Sequence, residues 1–300
     1  MYDIIIIGAG PAGLTSAIYA LRANKSVLVF ESNMVGGQIV NTLDIENYPS
    51  NPHISGFDFS NNLKKQAEEL GAEIKFEKVD SIEDGNIKKV KTNVSEYSAK
   101  SIIIASGLEN RKLNISNEKE LVGKGISFCA TCDGNFFRGK TVAVVGGGNT
   151  ALEDTLYLSN IVEKVYLIHR REEFRGDEKT LNLIKEKSNV EFVLNSNVSK
   201  INGTDRLESI DVTNNNGETK NISISGLFIA IGQKTNTDYL NGLINLDSSG
   251  FIISNESCET NIDGIFVAGD IRVKNIRQLV TATSDGAVAA ISAINYLNNK

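Results

Sequence analysis

The chain has 300 residues, of which 41% are hydrophobic, and this is enough for two domains that each have a core of their own. Its 31 basic and 37 acidic residues give a net charge of -6 without a basic tail or stripe, which argues against nucleic acid as a partner. Three cysteines are too few for a disulfide-stapled secreted protein, and no apolar run reaches the roughly eighteen residues of a membrane span. These features predict a cytoplasmic protein that does not cross a membrane.

The N-terminal stretch has the pattern of a strand, a glycine-rich turn, a helix and a second strand. Residues 2–7 are a β-branched run typical of a buried parallel strand, and the turn that follows reads Gly8-Ala9-Gly10-Pro11-Ala12-Gly13. In a dinucleotide-binding turn, the first glycine permits the bend, the second lets a pyrophosphate approach the backbone, and the third lets helix and strand pack closely. Glu31 ends the second strand, where an acidic side chain accepts hydrogen bonds from ribose hydroxyls. The pattern predicts a dinucleotide site.

The next segment of the chain carries less specific signals. Residues 35–38 and 45–49 are turn-rich and are interpreted as surface loops, and an apolar stripe between residues 59 and 70 predicts a helix that faces the core. Strands are predicted between residues 73 and 107. The polar stretch 110–124 is a first candidate domain boundary.

Two of the three cysteines, Cys129 and Cys132, are separated by only two residues. This spacing lets the sulfurs meet in a tight loop that enters a helix, whose N-terminal amides stabilise a thiolate. The pair is therefore predicted to cycle between dithiol and disulfide. The alternatives are a structural disulfide and half of a zinc site. Zinc normally takes four N or S ligands, and Cys258, His53 and His169 offer no second CxxC or HxxxH spacing, so no metal is predicted.

A second glycine-rich turn follows the CxxC. Residues 140–145 predict a strand, and Gly146-Gly147-Gly148-Asn149-Thr150-Ala151 then repeats the opening pattern before a helix and a further strand. Glu31 and His169 each lie 23 residues after the first glycine of their turn. The second unit therefore has a histidine where the first has an acid.

Three arginines follow this histidine, namely Arg170, Arg171 and Arg175. Guanidinium groups pair with the 2′-phosphate that an acid would repel, so the second site is predicted to prefer NADPH over NADH. A solvated charged loop is the alternative, because Glu172 and Glu173 stand between the arginines.

The remainder of the chain supplies a second candidate boundary at residues 233–246 and a final helix over residues 279–297. Asp270 ends a short predicted strand and has the alternative role of capping that helix or a turn. Cys258 lies in a polar stretch, interpreted as a loop, and is assigned no role.

Two dinucleotide sites with a redox pair between them imply a route for electrons. A hydride from NADPH carries two electrons, a dithiol exchanges two, and a flavin can accept a hydride and reduce a disulfide. This reasoning assigns FAD to the turn at Gly8 and NADPH to the turn at Gly146.

Over essentially its whole length, the chain resembles the low-molecular-weight thioredoxin reductases of prokaryotic type. The resemblance is carried by both glycine-rich turns, the CxxC with Asp133, Gly36-Gly37-Gln38, Glu46-Asn47-Tyr48-Pro49, His169-Arg170-Arg171 with Arg175, Gly269-Asp270 and Arg277-Gln278. It implies an α/β fold with two Rossmann-like dinucleotide-binding domains, the NADPH domain (residues 114–243, with the CxxC) being inserted into the FAD domain (residues 1–113 and 244–300). It also implies a homodimer, and a rotation of the inserted domain with hinges at the two polar boundaries.

The resemblance further implies roles for single residues. Cys132 is the flavin-proximal thiol, Cys129 exchanges with the disulfide of the protein substrate thioredoxin, and Asp133 is the acid/base for the thiols. The residues implied to bind FAD are Gly8, Gly10, Ala12, Gly13, Glu31, Gly37, Gln38, Asn47, Asp270, Arg277, Gln278 and Leu279. Those implied to bind NADPH are Gly147, Gly148, Asn149, Thr150, His169, Arg170, Arg171 and Arg175.

The chain departs from the family pattern at Thr235, where many relatives have proline, and in residues 51–56, which look divergent. A related flavoprotein reductase that serves another redox protein is an alternative. Ferredoxin–NADP reductases of similar fold lack the CxxC, and ferredoxin-dependent relatives lack the NADPH signature that Gly148, Ala151 and Arg170 represent here. The non-enzyme alternative is a nucleotide-binding protein that senses redox state without turnover.

Overall fold

The computed structural model describes residues 1–42 and 44–299. The strands are β1 (Tyr2–Ile7), β2 (Val27–Glu31), β3 (Glu73–Phe76), β4 (Val79–Glu83), β5 (Lys88–Thr92), β6 (Glu96–Ile104), β7 (Leu108–Asn110), β8 (Ile126–Ser127), β9 (Thr141–Val145), β10 (Lys164–Ile168), β11 (Val190–Val193), β12 (Ser196–Asn202), β13 (Ser209–Asn214), β14 (Thr219–Ser223), β15 (Gly226–Ile229), β16 (Gln233–Thr235) and β17 (Ile265–Val267). The α-helices are α1 (Pro11–Arg22), α2 (Gly56–Glu69), α3 (Ala130–Asp133), α4 (Asn149–Ser159), α5 (Glu178–Lys185) and α6 (Leu279–Asn298). Within the two described ranges, no helix combines the length and the apolar character that crossing a membrane requires.

The chain divides into two compact units. The first unit contains residues 1–40, 45–109 and 235–299, and the second contains residues 110–234 together with residues 41, 42 and 44. The second unit is therefore formed mainly by a continuous stretch of chain that interrupts the first.

The first unit is built on a mixed sheet with the order β3-β2-β1-β6-β5-β4, in which β17 also pairs with β6. The strands β1, β2, β3, β6 and β17 are parallel, whereas β4 and β5 are antiparallel to their neighbours. Successive side chains of a strand point to opposite faces. Ile4 and Ile6 accordingly belong to the core that contains α1 and α6, and Ile5 and Ile7 belong to the core on the other face. Burial on both faces explains the unbroken apolar run of β1.

The second unit has a fully parallel sheet with the order β11-β10-β9-β15-β8 and a three-stranded antiparallel sheet, β12-β13-β14. Val142 and Val144 of β9 share a core with α4, and Ala143 and Val145 share a core with the antiparallel sheet. The predicted α/β class, with two Rossmann-like units and the second inserted into the first, is confirmed.

Cys258 differs from its sequence-based interpretation as a residue isolated in a polar loop. It lies in a turn, but its side chain is only 1% exposed and belongs to the apolar core of the first unit. Burial raises the pKa of its thiol to about 11, so the thiol stays protonated at neutral pH. The loop is as predicted, but the burial of Cys258 was not foreseen, because polar neighbours in sequence do not reveal which way this side chain points.

Candidate active site

The CxxC forms a short turn between β8 and α3 in the second unit. A disulfide joins Cys129 to Cys132, and their Cα atoms are 5.3 Å apart. Cys129 has an extended backbone and precedes the first residue of α3, so Cys132 lies inside the first helical turn. Both side chains are half-buried. Two-electron reduction would open this bond to a dithiol, and amides at the start of a helix favour the thiolate form of such a cysteine.

Asp133, the last residue of α3, lies against the same turn. Its Oδ2 accepts a hydrogen bond of 2.5 Å from the Ser127 hydroxyl, and the Ser127 Oγ accepts one of 3.1 Å from the Cys129 amide. The other carboxylate oxygen, Oδ1, is buried and has no hydrogen-bond partner within the described residues. Burial raises the pKa of Asp133, and the hydrogen bond from Ser127 opposes that rise. A carboxyl group in this state can hold a proton and exchange it with neighbouring thiols.

A second carboxyl group, that of Asp154 in α4, contacts the same turn. This residue was not identified from the sequence. Burial, reinforced by the charge of Glu153, raises the pKa of Asp154 to about 7, and a hydrogen bond from the Ala130 amide opposes that rise. The helix packs closely here, because a Cβ added to Gly134 would lie 3.1 Å from Leu158 Cδ2. Asp154 lies four residues before Leu158, on the same helix face. The sequence carries no local signal for this contact, because Ala130 lies 24 residues before Asp154.

The first glycine-rich turn has the steric requirements expected of it. A Cβ on Gly8 would lie 2.3 Å from the Ala105 carbonyl oxygen, and a Cβ on Gly13 would lie 1.9 Å from the Gly8 carbonyl oxygen. The space beside Gly10 is open, with no atom within 4 Å of a Cβ placed there. Helix α1 begins at Pro11 without a side-chain cap. Its first amides are therefore available to an anionic group, which helix N-termini bind well.

Glu31 lies at the end of β2 against this turn. Its Oε2 accepts a hydrogen bond of 2.9 Å from the Ala9 amide, and its Oε1 accepts one of 2.8 Å from the Asn33 amide. Two amide donors fix the orientation of the carboxylate. Each oxygen has a second lone pair for a ligand hydroxyl.

Gly37 and Gln38 lie in the turn that follows β2. A Cβ on Gly37 would lie 3.6 Å from the Gly10 Cα, so this turn approaches the first glycine-rich turn. The Gln38 side chain donates a hydrogen bond of 3.1 Å to the Leu108 carbonyl oxygen.

Asp270 lies in a 3-10 turn directly after β17. Its Oδ1 is buried and has no hydrogen-bond partner among the residues described. Burial raises the pKa of Asp270, and the cations Lys274 and Arg277 oppose that rise. A Cβ on Gly269 would lie 2.9 Å from the Ala12 Cβ, so the turn contacts the start of α1. Arg277 also donates a hydrogen bond of 3.3 Å to the Asp270 carbonyl oxygen.

The start of α6 brings together residues that are distant in sequence. Gln278 precedes the helix, its amide donates to the Thr281 hydroxyl at 3.1 Å, and its side chain accepts a hydrogen bond from the Thr281 amide in return. The Asn47 side-chain amide donates to Gln278 Oε1 at 3.3 Å. Leu279 is the first helical residue.

The second glycine-rich turn repeats the geometry of the first. A Cβ on Gly146 would lie 2.2 Å from the Ala230 carbonyl oxygen, and the space beside Gly148 is open. Helix α4 then begins without a side-chain cap, and its first two residues, Asn149 and Thr150, are exposed.

The loop after β10 folds back onto this turn. The Arg175 amide donates to the Gly147 carbonyl oxygen at 2.8 Å, and the Asp177 amide donates to Asn149 Oδ1 at 2.8 Å. The loop carries three exposed arginines, which are Arg170, Arg171 and Arg175. Within residues 1–42 and 44–299, none of the three forms an ion pair, and neither do the two glutamates between them.

His169 is buried beneath the same loop. A Cβ on Gly147 would lie 2.1 Å from the His169 ring, which also stacks on Phe174 with ring centroids 5.0 Å apart. Burial lowers the pKa of His169, and the nearby arginines lower it further, against the effect of a contact with the Glu173 carbonyl. The imidazole is therefore neutral at pH 7 and supports the turn as an aromatic ring.

The predicted residues fall into two sets. All the residues predicted for FAD lie in the first unit. Several of them are in contact: Gly37 approaches Gly10, Glu31 bonds to the Ala9 amide within the turn, and Asn47 bonds to Gln278. The CxxC, Asp133 and all those predicted for NADPH lie in the second unit.

Comparisons with known proteins agree with this arrangement. The family model for pyridine nucleotide-disulphide oxidoreductases matches residues 2–286. A thioredoxin reductase of Bacillus subtilis (strain 168) is 41% identical over 302 residues, which cover 99% of this chain and 95% of that protein. The crystal structure of thioredoxin reductase from Streptococcus pyogenes MGAS5005 superposes with a TM-score of 0.95 at 39% identity, covering 100% of this chain and 99% of that one. The chain therefore belongs to the thioredoxin reductases, the flavoprotein enzymes of the pyridine nucleotide-disulphide oxidoreductase family that use a redox-active disulfide.

Proposed function

We propose that the chain acts as a homodimer, binds FAD with its first unit and NADPH with its second, and passes electrons through Cys129 and Cys132 to oxidised thioredoxin. The observation that carries this proposal is that the two glycine-rich turns have different functional groups in their surroundings. The first turn lies beside the Glu31 carboxylate, whereas the second shares its unit with the disulfide and with three arginines that form no ion pair within residues 1–42 and 44–299.

The first unit fits a flavin nucleotide. The buried Asp270 Oδ1 lacks a partner within the described residues, although buried polar atoms normally have one, and a ligand hydroxyl could supply it. The open space beside Gly10 lets a pyrophosphate reach the amides of α1. When bound, FAD supplies the chemistry that links a hydride donor to a disulfide. The residues proposed to hold it are Gly8, Gly10, Ala12, Gly13, Glu31, Gly37, Gln38, Asn47, Asp270, Arg277, Gln278 and Leu279.

The second unit fits NADPH. Gly147, Gly148, Asn149 and Thr150 surround the uncapped start of α4, which suits a pyrophosphate. Three guanidinium groups without ion pairs in the described part of the chain suit a 2′-phosphate, which they can bind with charge-assisted hydrogen bonds. His169, being neutral and buried, would shape this pocket beside Arg170, Arg171 and Arg175.

The thiols would then complete the reaction. Reduction of the Cys129–Cys132 disulfide takes up two electrons and two protons and gives two thiols. The Cys129 thiolate attacks the disulfide of thioredoxin, forming a mixed disulfide and releasing one thiolate of the substrate. Cys132 then attacks the Cys129 sulfur, which restores the internal disulfide and releases the second thiolate. Asp133 would take up and return the protons, because its raised pKa lets it hold one beside the turn.

Two further expectations remain part of this proposal. The stretches 110–124 and 233–246 are proposed as hinges between the two units, since both are polar connections at unit boundaries. A cytoplasmic location is proposed because a disulfide reductase with three cysteines suits a reducing compartment.

A Cys129→Ser variant tests the scheme. In the purified yellow protein, NADPH should still bleach the flavin absorbance, because Cys129 is proposed to act only in exchange with the substrate. Reduction of thioredoxin, followed by NADPH consumption, should fall at least about 1000-fold, as expected for loss of a nucleophile. Cys258→Ala is the matched control and should retain full turnover. Full turnover in Cys129→Ser would refute the thiol assignment, and a colourless protein that does not take up added FAD would refute the function.

A further inference from the structure

The second turn of α6 contains a carboxylate in an otherwise apolar setting. Asp285 is 9% exposed, and the helix residues after it, Gly286, Ala289, Ala290 and Ala293, are small and buried. Burying a charged carboxylate is unfavourable unless it is paired and hydrogen-bonded. The burial of Asp285 therefore indicates that specific partners hold its carboxylate.

Three donors satisfy this carboxylate. Asp285 Oδ1 accepts from Arg272 Nη1 at 3.1 Å, and Oδ2 accepts from Lys274 Nζ at 2.7 Å and from the Gly269 amide at 3.2 Å. The side chains of both cations are no more than 13% exposed. Arg272 is itself fixed, because its Nε donates to Ser254 Oγ at 2.9 Å. The cluster of Arg272, Lys274 and Asp285 is thus rigid and carries one excess positive charge.

The docking of α6 on α1 has contacts of its own, separate from this cluster. The helix approaches α1 at Gly286, where an added Cβ would lie 2.3 Å from the Ala12 carbonyl oxygen. The Ser16 hydroxyl donates to the Gly286 carbonyl oxygen at 2.9 Å. Close packing and this hydrogen bond join the two helices, whereas the Asp285 carboxylate is directed at the turn that contains Gly269, whose amide it accepts from.

That turn presents Asp270. Gly269 has a φ of 79°, in the left-handed region, and its amide is held by Asp285. The charged groups that act on Asp270 are Lys274 and Arg277, which lower its pKa, and Asp285, which raises it. The cluster therefore holds the turn that carries Asp270, whose Oδ1 has no partner in the described residues, and adds two opposing effects on the pKa of that carboxyl group.

We propose that Asp285, held between Arg272 and Lys274, is a positioning residue for the flavin nucleotide, because it anchors the turn from which Asp270 meets the ligand. This inference rests on the proposed function, since the flavin site is part of that proposal. The cluster extends the site by three residues that do not themselves touch the ligand.

The test is titration of FAD into apo-protein, followed by flavin fluorescence at temperatures where each variant is folded. Asp285→Asn should weaken FAD binding about 10- to 100-fold, the loss expected when a charged hydrogen-bond anchor is removed. Asp3→Asn is the matched control. Asp3 also accepts from one lysine, Lys100, and from one backbone amide, that of Ser26, whose hydroxyl donates to it as well, but it lies at the opposite end of β1 from the glycine-rich turn. This control should lower the unfolding temperature and leave FAD affinity within about twofold of wild type.

The pH profile of FAD affinity separates positioning from general stability. Lys274→Met keeps the Arg272 pair and the Gly269 contact, so it should fold even where Asp285→Asn does not. Loss of this cation should raise the pKa of Asp270, so that FAD affinity falls at a higher pH than in wild type. Asp285→Asn should move that midpoint to lower pH. Wild-type affinity and pH profile in Lys274→Met, or in a folded Asp285→Asn, would overturn the inference, whereas wild-type apo-protein that binds no FAD would instead overturn the proposed function.

Discussion

The two glycine-rich turns use the same backbone geometry in two different units. In each, the first glycine amide donates to the end of the following strand, at 2.8 Å for Gly8 and 3.1 Å for Gly146. A Cβ on either glycine would lie within 2.3 Å of a carbonyl oxygen, that of Ala105 or Ala230. The shared geometry shows that both turns are shaped by close contact between strands, so differences between the units come from the side chains around them.

The first difference lies at the end of the second strand. Glu31 is held by the amides of Ala9 and Asn33, which orients an acceptor next to the turn. His169 at the equivalent position packs on Gly147, and the exposed arginines proposed to bind the 2′-phosphate follow it in the chain. The same position thus presents a carboxylate in one unit and a neutral ring in the other. These two side chains suit nucleotides that differ in the group on the ribose.

The second difference lies on the helix. Eight residues after the first glycine, α1 has Ser16 and α4 has Asp154. Ser16 bonds to the backbone of α6 at Gly286, whereas Asp154 receives a hydrogen bond from Ala130 in the CxxC turn. The element that packs on the helix therefore determines whether this position carries a hydroxyl group or a titratable one.

The largest expected effect comes from the third small residue of each turn. Gly13→Ala places a methyl group 1.9 Å from the Gly8 carbonyl oxygen, so α1 must move away from β1. We expect a loss of about 3 kcal/mol in the free energy of unfolding, as for severe overpacking. Ala151→Gly, the matched change in the second turn, should cost only about 1 kcal/mol. Urea unfolding monitored by circular dichroism measures both, and a loss of less than about 1 kcal/mol for Gly13→Ala would show that the first turn tolerates a methyl group as the second does.

The arginines give the next effect. Arg170→Ala/Arg175→Ala should raise the KM for NADPH about 100-fold, because two charge-assisted contacts to the 2′-phosphate are lost. The KM for NADH should change less than about threefold, since NADH lacks that phosphate. Lys200→Ala/Arg206→Ala removes the same charge from exposed positions of the second unit and serves as the control. Steady-state kinetics with both nucleotides decides the matter, and equal losses for NADPH and NADH would remove the phosphate-binding role.

The elements around both turns are predictable because their signals are local. The apolar run at residues 2–7 predicts β1, which is observed at Tyr2–Ile7, and the spacing of Cys129 and Cys132 predicts the disulfide. Glycine requirements likewise follow from the turn itself.

The carboxylates that tune these sites are not predictable from local pattern. Asp154 is recognised only through its contact with Ala130, 24 residues earlier, and Asp285 only through cations that precede α6. Asn47 and Gln278 are 231 residues apart and were implied by family resemblance, because no local pattern places them together. The burial of Cys258 has the same origin, since its core contains residues of α6.

The smallest expected effect concerns Asp154 and the dependence of stability on pH. Its pKa is about 7 in the folded protein and about 4 when unfolded, so folding favours the protonated form. The contribution of the protonated Asp154 carboxyl to the stability of the folded protein is complete below pH 4 and is lost as the pH rises towards 7. Asp154→Asn should remove this loss and raise the free energy of unfolding at pH 8 by about 1 to 2 kcal/mol, since solvent screens part of the effect at a half-buried side chain, with little change at pH 4.

The equivalent serine provides the comparison for Asp154. Ser16→Ala removes hydrogen bonds to Ala12 and Gly286 and should lower the free energy of unfolding by about 1 kcal/mol at every pH, because no titratable group is involved. Urea unfolding at pH 4, 6 and 8 measures both variants beside wild type. A curve for Asp154→Asn that runs parallel to wild type would mean that Asp154 titrates normally and that the CxxC turn has only Asp133 as a proton-holding neighbour.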